Sequence, residues 1–154
     1  MYDTYLTKAL AGLVNSTQAL EAYQKTSIKD IKNTAAYHIQ QSLEYIIKYL
    51  IYNSSGYNKG KKEEAITQIY SHNLDLLIVQ YCDAYQIIVP QKIRDKAALY
   101  TSWEAESRYS LGFSVRIDAI RTAIKYTSDW LIEIAPKYKK KIAEINKRLQ
   151  IKIN

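Results

Sequence analysis

A single periodic stripe constrains this chain more than any other feature. Between Ser27 and Tyr52, apolar residues recur as Ile28, Ile31, Ala35, Ile39, Leu43, Ile46 and Leu50. That spacing follows the 3.6-residue helical turn and no strand period, so it predicts one long amphipathic helix. At the helical rise of 1.5 Å per residue it would run roughly 37 Å, the span of a small domain. Ser27 is the expected N-cap, with Asp30 three residues on as a capping-box partner.

Composition points the same way. The chain has 154 residues, of which 47% are hydrophobic and 24% charged, which fits one globular domain. Only four glycines and two prolines are present, too few for the turns of an all-β fold or for a glycine-rich phosphate loop. One cysteine, Cys82, excludes an internal disulfide framework and any cysteine-rich zinc site, and suits a reducing cytoplasm. No run of eighteen apolar residues exists, and no basic segment precedes an apolar one at the start. Neither a membrane span nor a signal peptide is therefore expected.

Further helices can be read on either side of the stripe. One runs from about Tyr2 to Gln24 through Leu6, Leu10, Leu13, Leu20 and Tyr23. The segment Asn53–Lys62 is rich in turn formers and charge and reads as a long surface loop. Glu63–Tyr70 reads as a short helical turn, and Ser71 then caps a helix from His72 to about Ile88. Pro90 starts another, Gln91 to about Glu106. Ser114 caps the last long helix, which carries Val115, Ile117, Ile120, Ile124, Tyr126, Trp130, Leu131 and Ile134 and should stop at Pro136. Residues 137–150 read as a basic amphipathic helix. The expectation is an all-α fold: an antiparallel up-and-down bundle of about five helices over 1–135, with a basic C-terminal helical extension over 136–154.

Charge is concentrated at one end. The net charge is +7, and residues 136–154 hold seven basic side chains against Glu144 alone. Such a tail is either a solvated helix face or an electrostatic trap for a polyanion such as RNA. Fifteen tyrosines could stack on bases, but at helical positions a core or a subunit interface would use them equally well.

Hydrolase patterns are missing. With only His38 and His72 available, no HExxH, paired CxxC, DxDxDG or GxSxG occurs, and no metal or cofactor is expected. Three polar clusters remain. The first, on the striped helix, is Tyr37, His38, Gln40, Gln41, Glu44 and Lys48. Glu44 and Lys48 form an i,i+4 pair in the favourable order, on either a solvated face or a polar seam against another helix. The second is Ser71-His72-Asn73-Leu74, which reads first as a helix cap. The third is Glu104, Glu106, Ser107, Arg108, Tyr109 and Ser110, where a guanidinium fork could pair with a carboxylate or bind phosphate.

Taken in order, these clusters resemble a known family. Ala36-Tyr37-His38-Ile39-Gln40-Gln41-Ser42-Leu43-Glu44-Tyr45-Ile46-Ile47-Lys48 is similar to the A-x-H-x-Q-Q-A-x-E-K-x-x-K helix of HEPN domains (higher eukaryotes and prokaryotes nucleotide-binding). Ser71-His72-Asn73-Leu74-Asp75-Leu76-Leu77 resembles the family's T-H-D-L-x-x-L, and Arg108-Tyr109-Ser110 its R-Y-P. The likeness covers roughly residues 1–135. It implies a helical bundle, usually a homodimer, linked to nucleotide or RNA handling and often set beside a small nucleotidyltransferase. On that reading Arg108, Tyr109, His72, Gln41, Glu44 and Lys48 would contact nucleotide or RNA.

The departures also carry meaning. Ser42, Tyr45, Asn73 and Ser110 stand where the family has Ala, Lys, Asp and Pro. The ribonuclease branch carries R-x(4–6)-H, and no arginine here precedes a histidine at that spacing. Lys32-Asn33 followed by His38 is the nearest imitation, and lysine lacks the planar fork that grips a scissile phosphate. The expectation is a non-catalytic or weakly active binding module. The alternatives are a metal-independent, toxin-type endoribonuclease using Lys32 and His38, and a purely structural dimerisation scaffold.

Overall fold

The computed structural model describes residues 3–63, 69–109 and 112–154, with the side chains of 60–63 and 107–109 outside the described set. All regular structure among the described residues is helical. The α-helices are α1 (Asp3–Thr26), α2 (Lys29–Tyr52), α3 (Ser55–Glu63), α4 (Leu74–Leu77), α5 (Gln91–Arg94), α6 (Ala97–Tyr109), α7 (Ile117–Ile134) and α8 (Lys139–Arg148). A π-turn, Ile78–Cys82, follows α4, and a 3-10 turn, Pro136–Tyr138, precedes α8.

The first two helices form a tight antiparallel hairpin. Ser27, the expected cap of α2, instead terminates α1: it adopts φ 57° and its N–H donates to the Tyr23 carbonyl at 2.7 Å. Ile28 then holds the N-cap position of α2 without a side-chain cap. Across the pair, Ser16 Oγ donates to the Ala35 carbonyl at 2.7 Å and Ser42 Oγ to the Ala9 carbonyl at 2.6 Å. Gly12 lies between these two bonds. A Cβ there would stand 3.1 Å from the His38 carbonyl and 3.1 Å from Ser42 Cβ, so the glycine permits the close approach.

The spine helix α2 is central and touches α1, α4, α6 and α7. Its expected stripe is buried at Ala35, Ile39, Leu43 and Ile46, while Ile28 at one end is half exposed. Ala36, Ile47, Ile51 and Tyr52 are also buried, because partners lie on more than one side. Helix α7 closes the core with Ile120, Ala123, Ile124, Trp130 and Leu131 and stops before Pro136, as its sequence predicts. From α8, Ile142 joins the same core, as do Leu149 and Ile151 beyond it, and Asn146 Nδ2 donates to Ser128 Oγ at 2.9 Å.

Several local expectations are corrected. The supposed loop after α2 contains α3, started by Ser54 Oγ accepting from the Tyr57 N–H at 3.1 Å and fixed by Tyr57 packing on Tyr52. Residues 64–68 of the expected turn lie outside the described residues, and Ile69 and Tyr70 are not helical. The helix expected over His72–Ile88 is only α4, the π-turn and a bend in which Gln86 takes φ 59°. Asn73, not Ser71, caps α4, its Oδ1 accepting from the Leu76 N–H at 3.1 Å. The helix expected over 91–106 divides into α5 and α6. Arg116 rather than Ser114 occupies the N-cap of α7. No described helix is long and apolar enough to cross a membrane.

Candidate functional site

The polar row of α2 is not a solvated face. Gln40, Glu44 and Lys48 lie one turn apart and are all buried. Lys48 Nζ stands 3.1 Å from Glu44 Oε2, with the two side chains only 8% and 9% exposed. The other carboxylate oxygen, Oε1, accepts from His72 Nδ1 at 2.9 Å and from Gln40 Nε2 at 3.3 Å. A carboxylate only accepts, so the proton of that contact resides on His72 Nδ1, and in the neutral ring Nε2 carries the lone pair. Gln40 Nε2 also donates to the His72 carbonyl at 3.0 Å, tying the segment before α4 to the spine. Two chain segments, α2 and the stretch before α4, thus meet on one glutamate.

A cleft of about 150 Å³ opens above this network. Gln40, Glu44 and His72 line it together with Tyr37, Tyr45 and Glu104 of α6. Gln40 Oε1 is buried and accepts no hydrogen bond from the described protein atoms. A buried acceptor of that kind is costly unless a donor reaches it. The lining has two carboxylates, and the one lysine in contact with it through Glu44 is already paired. Such a cleft favours uncharged groups that present N–H donors, with aromatic rings at its sides, over a phosphate.

His38 lies beside the cleft. Its Nδ1 faces Gln41 Oε1 at 3.3 Å, Gln41 Nε2 donates to the Tyr37 hydroxyl at 2.8 Å, and burial holds the His38 pKa below its usual 6.5. Lys32 is elsewhere: its Nζ donates to Ser114 Oγ at 3.1 Å and sits 5.3 Å above the Tyr23 ring. Asn33 is buried and structural, donating to the Phe113 carbonyl at 2.8 Å and accepting from the Val115 N–H at 3.1 Å. Six residues of helix turn Lys32 and His38 well away from one another, and each has other partners.

Of the residues singled out from sequence, Gln41, Glu44 and His72 line the one cleft, and Lys48 backs it through Glu44. Arg108 and Tyr109 lie on α6 one turn past Glu104, and their side chains are outside the described residues. Tyr37, Gln40 and Glu104 stood in the polar clusters without being expected as contact residues, and Tyr45 stood in none. For Gln40 the available signal was its place in the 40–44–48 row. Among the described residues no set of three or more His, Cys, Asp and Glu side chains is grouped to hold a metal ion. No protein-family model, curated protein or solved structure matches this chain.

Proposed function

We propose that this chain is a HEPN-like helical module that binds nucleotide or RNA without cleaving it. The observation that carries the proposal is the cleft over Glu44, where His72, Gln40 and Lys48 converge and Gln40 Oε1 still lacks a donor. The carboxylates of Glu44 and Glu104 in the lining have the chemistry to accept from an exocyclic amine or ring N–H of a nucleobase, with Tyr37 and Tyr45 at hand for its faces. The separation of Lys32 and His38, each engaged elsewhere, supports the non-cleaving reading over cleavage by that pair. Among the described residues of 1–135, the four helices of ten or more residues, α1, α2, α6 and α7, support a helical bundle of that family type, and α8 lies in the C-terminal extension. The proposal includes a cytoplasmic homodimer and, as protein partner, a small nucleotidyltransferase.

Calorimetric titration with AMP, GMP, CMP and UMP tests the cleft. Saturable binding of at least one is expected, weakened about tenfold by Gln40→Leu or Glu44→Gln, the worth of one buried hydrogen bond. The Arg108→Ala variant measures the contribution from α6. Silence with all four nucleotides, or binding that Gln40→Leu and Glu44→Gln leave unchanged, would overturn the proposal. Sedimentation at micromolar protein should give twice the 17.8 kDa chain mass; a monomer would remove the homodimer from it.

A further inference from the structure

We propose a second site, a groove along α7 that holds the phosphodiester backbone of single-stranded nucleic acid. It goes beyond the cleft reading, uses none of its residues and stands if the cleft binds nothing. The groove has a volume of about 320 Å³ and is lined by Lys92, Arg121, Lys125 and Lys152, with Thr122 and Tyr126 between them and no carboxylate among the described lining residues. A second hollow of about 240 Å³ adjoins it through the shared Thr122 and adds Lys96 and Arg116, with Asp118 as its one acid. From Arg116 to Lys125 the strip follows α7 for about 14 Å at the helical rise. Lys125 is paired with Asp129, and the remaining cations, Lys92, Lys96, Arg116, Arg121 and Lys152, set along one helix, suit a single flexible backbone.

The cations are placed rather than merely abundant. Lys125 Nζ donates to the Lys152 carbonyl at 2.9 Å and to Asn154 Oδ1 at 3.3 Å, while pairing with Asp129 at 3.2 Å. Those bonds draw the segment after α8 onto α7 and so set Lys152 beside Arg121. Ile151, buried in the core, anchors the same segment from below. Lys92 Nζ stands 5.1 Å above the Tyr126 ring. That cation–π contact holds the Lys92 ammonium at the edge of the track, where a phosphate would pass. The basic residues near the chain end thus divide: Lys152 belongs to a concave site, while Lys139, Lys140 and Lys141 stand exposed on α8 and line none of it.

Fluorescence anisotropy with a labelled short oligouridylate and its deoxy counterpart tests the groove across a salt series. Binding should weaken steeply with salt. Lys92→Ala with Arg121→Ala should reduce affinity tenfold or more at low salt and lower the log–log salt slope by roughly 1.4, two contacts at about 0.7 each. Lys96→Ala with Lys152→Ala, at exposed side chains whose loss leaves the core intact, should lower the slope in the same way. Equal binding of both strands assigns the contact to the backbone, and a preference for RNA adds the 2′-hydroxyl to it. The proposal falls if neither strand binds at low salt, or if Lys139→Ala with Lys140→Ala reduces affinity as much as the groove pairs. The nucleotide titrations of the cleft read different residues, so failure of either site leaves the other's result intact.

Discussion

Removing one member of the Glu44–Lys48 pair should cost far more than an ordinary helix-surface ion pair. An exposed i,i+4 pair contributes about 0.3–0.5 kcal/mol. Here the side chains are 8% and 9% exposed, so the surviving charge would be left in the interior. Breaking such pairs costs about 3–5 kcal/mol, and the lower end applies because Glu44 also borders the cleft. Lys48→Met and Glu44→Gln should therefore each destabilise by about 3 kcal/mol. For a chain of this length that lowers the melting temperature by about 6–12 °C. The double variant removes both charges and keeps the volumes, so it should lie within about 1 kcal/mol of the parent, as replaced buried pairs often do. Urea unfolding of the four proteins, read by far-UV circular dichroism, gives the full cycle and its coupling energy. If both single variants fall within about 0.5 kcal/mol of the parent, the pair is solvated and the buried-row reasoning is wrong.

Gly12→Ala should destabilise by about 1 kcal/mol in urea, because the crowding of backbone atoms on α2 outweighs the helix propensity that alanine gains; a gain in stability would refute the close approach. His38 titrates below its usual 6.5 in the folded chain, so between that value and the depressed one the unfolded chain holds more protons. Its contribution is present above the unfolded pKa and is lost as pH falls through the folded one. Stability curves from about pH 7 to about pH 5 should therefore fall less in His38→Asn than in the parent, and parallel curves would refute the assignment.

The sequence made α2 legible because its stripe is long and regular, and its end at Tyr52 is where periodicity places it. What periodicity missed was the number of buried sides. A stripe implies one partner, whereas α2 has several, and the doublets Ala35-Ala36, Ile46-Ile47 and Ile51-Tyr52 were the trace of that. With those sides covered, Gln40, Glu44 and Lys48 became interior groups rather than a wet face. The segment after Tyr52 misled for the opposite reason: its composition is that of a loop, and one capping hydroxyl with one buried tyrosine makes it helical. Ser27 shows the limit at boundaries, since a serine suits either a helix start or, at some strain, a left-handed helix end. Cys82 lies in the core, where burial pushes its thiol up to about 12 and it packs as an apolar group.

The two-residue link between α1 and α2 has a kinetic consequence. With only Ser27 and Ile28 between them, those helices meet at small loop-closure cost, and contacts local in sequence favour rapid formation. Union of α2 with α7 instead closes the whole chain from Asn53 to Arg116. His72 reaches the acid and amide of the spine on a shorter closure, from Asn53 to Ser71, before α7 need arrive. Assembly order would thus leave the hairpin wet on its polar side until that segment docks.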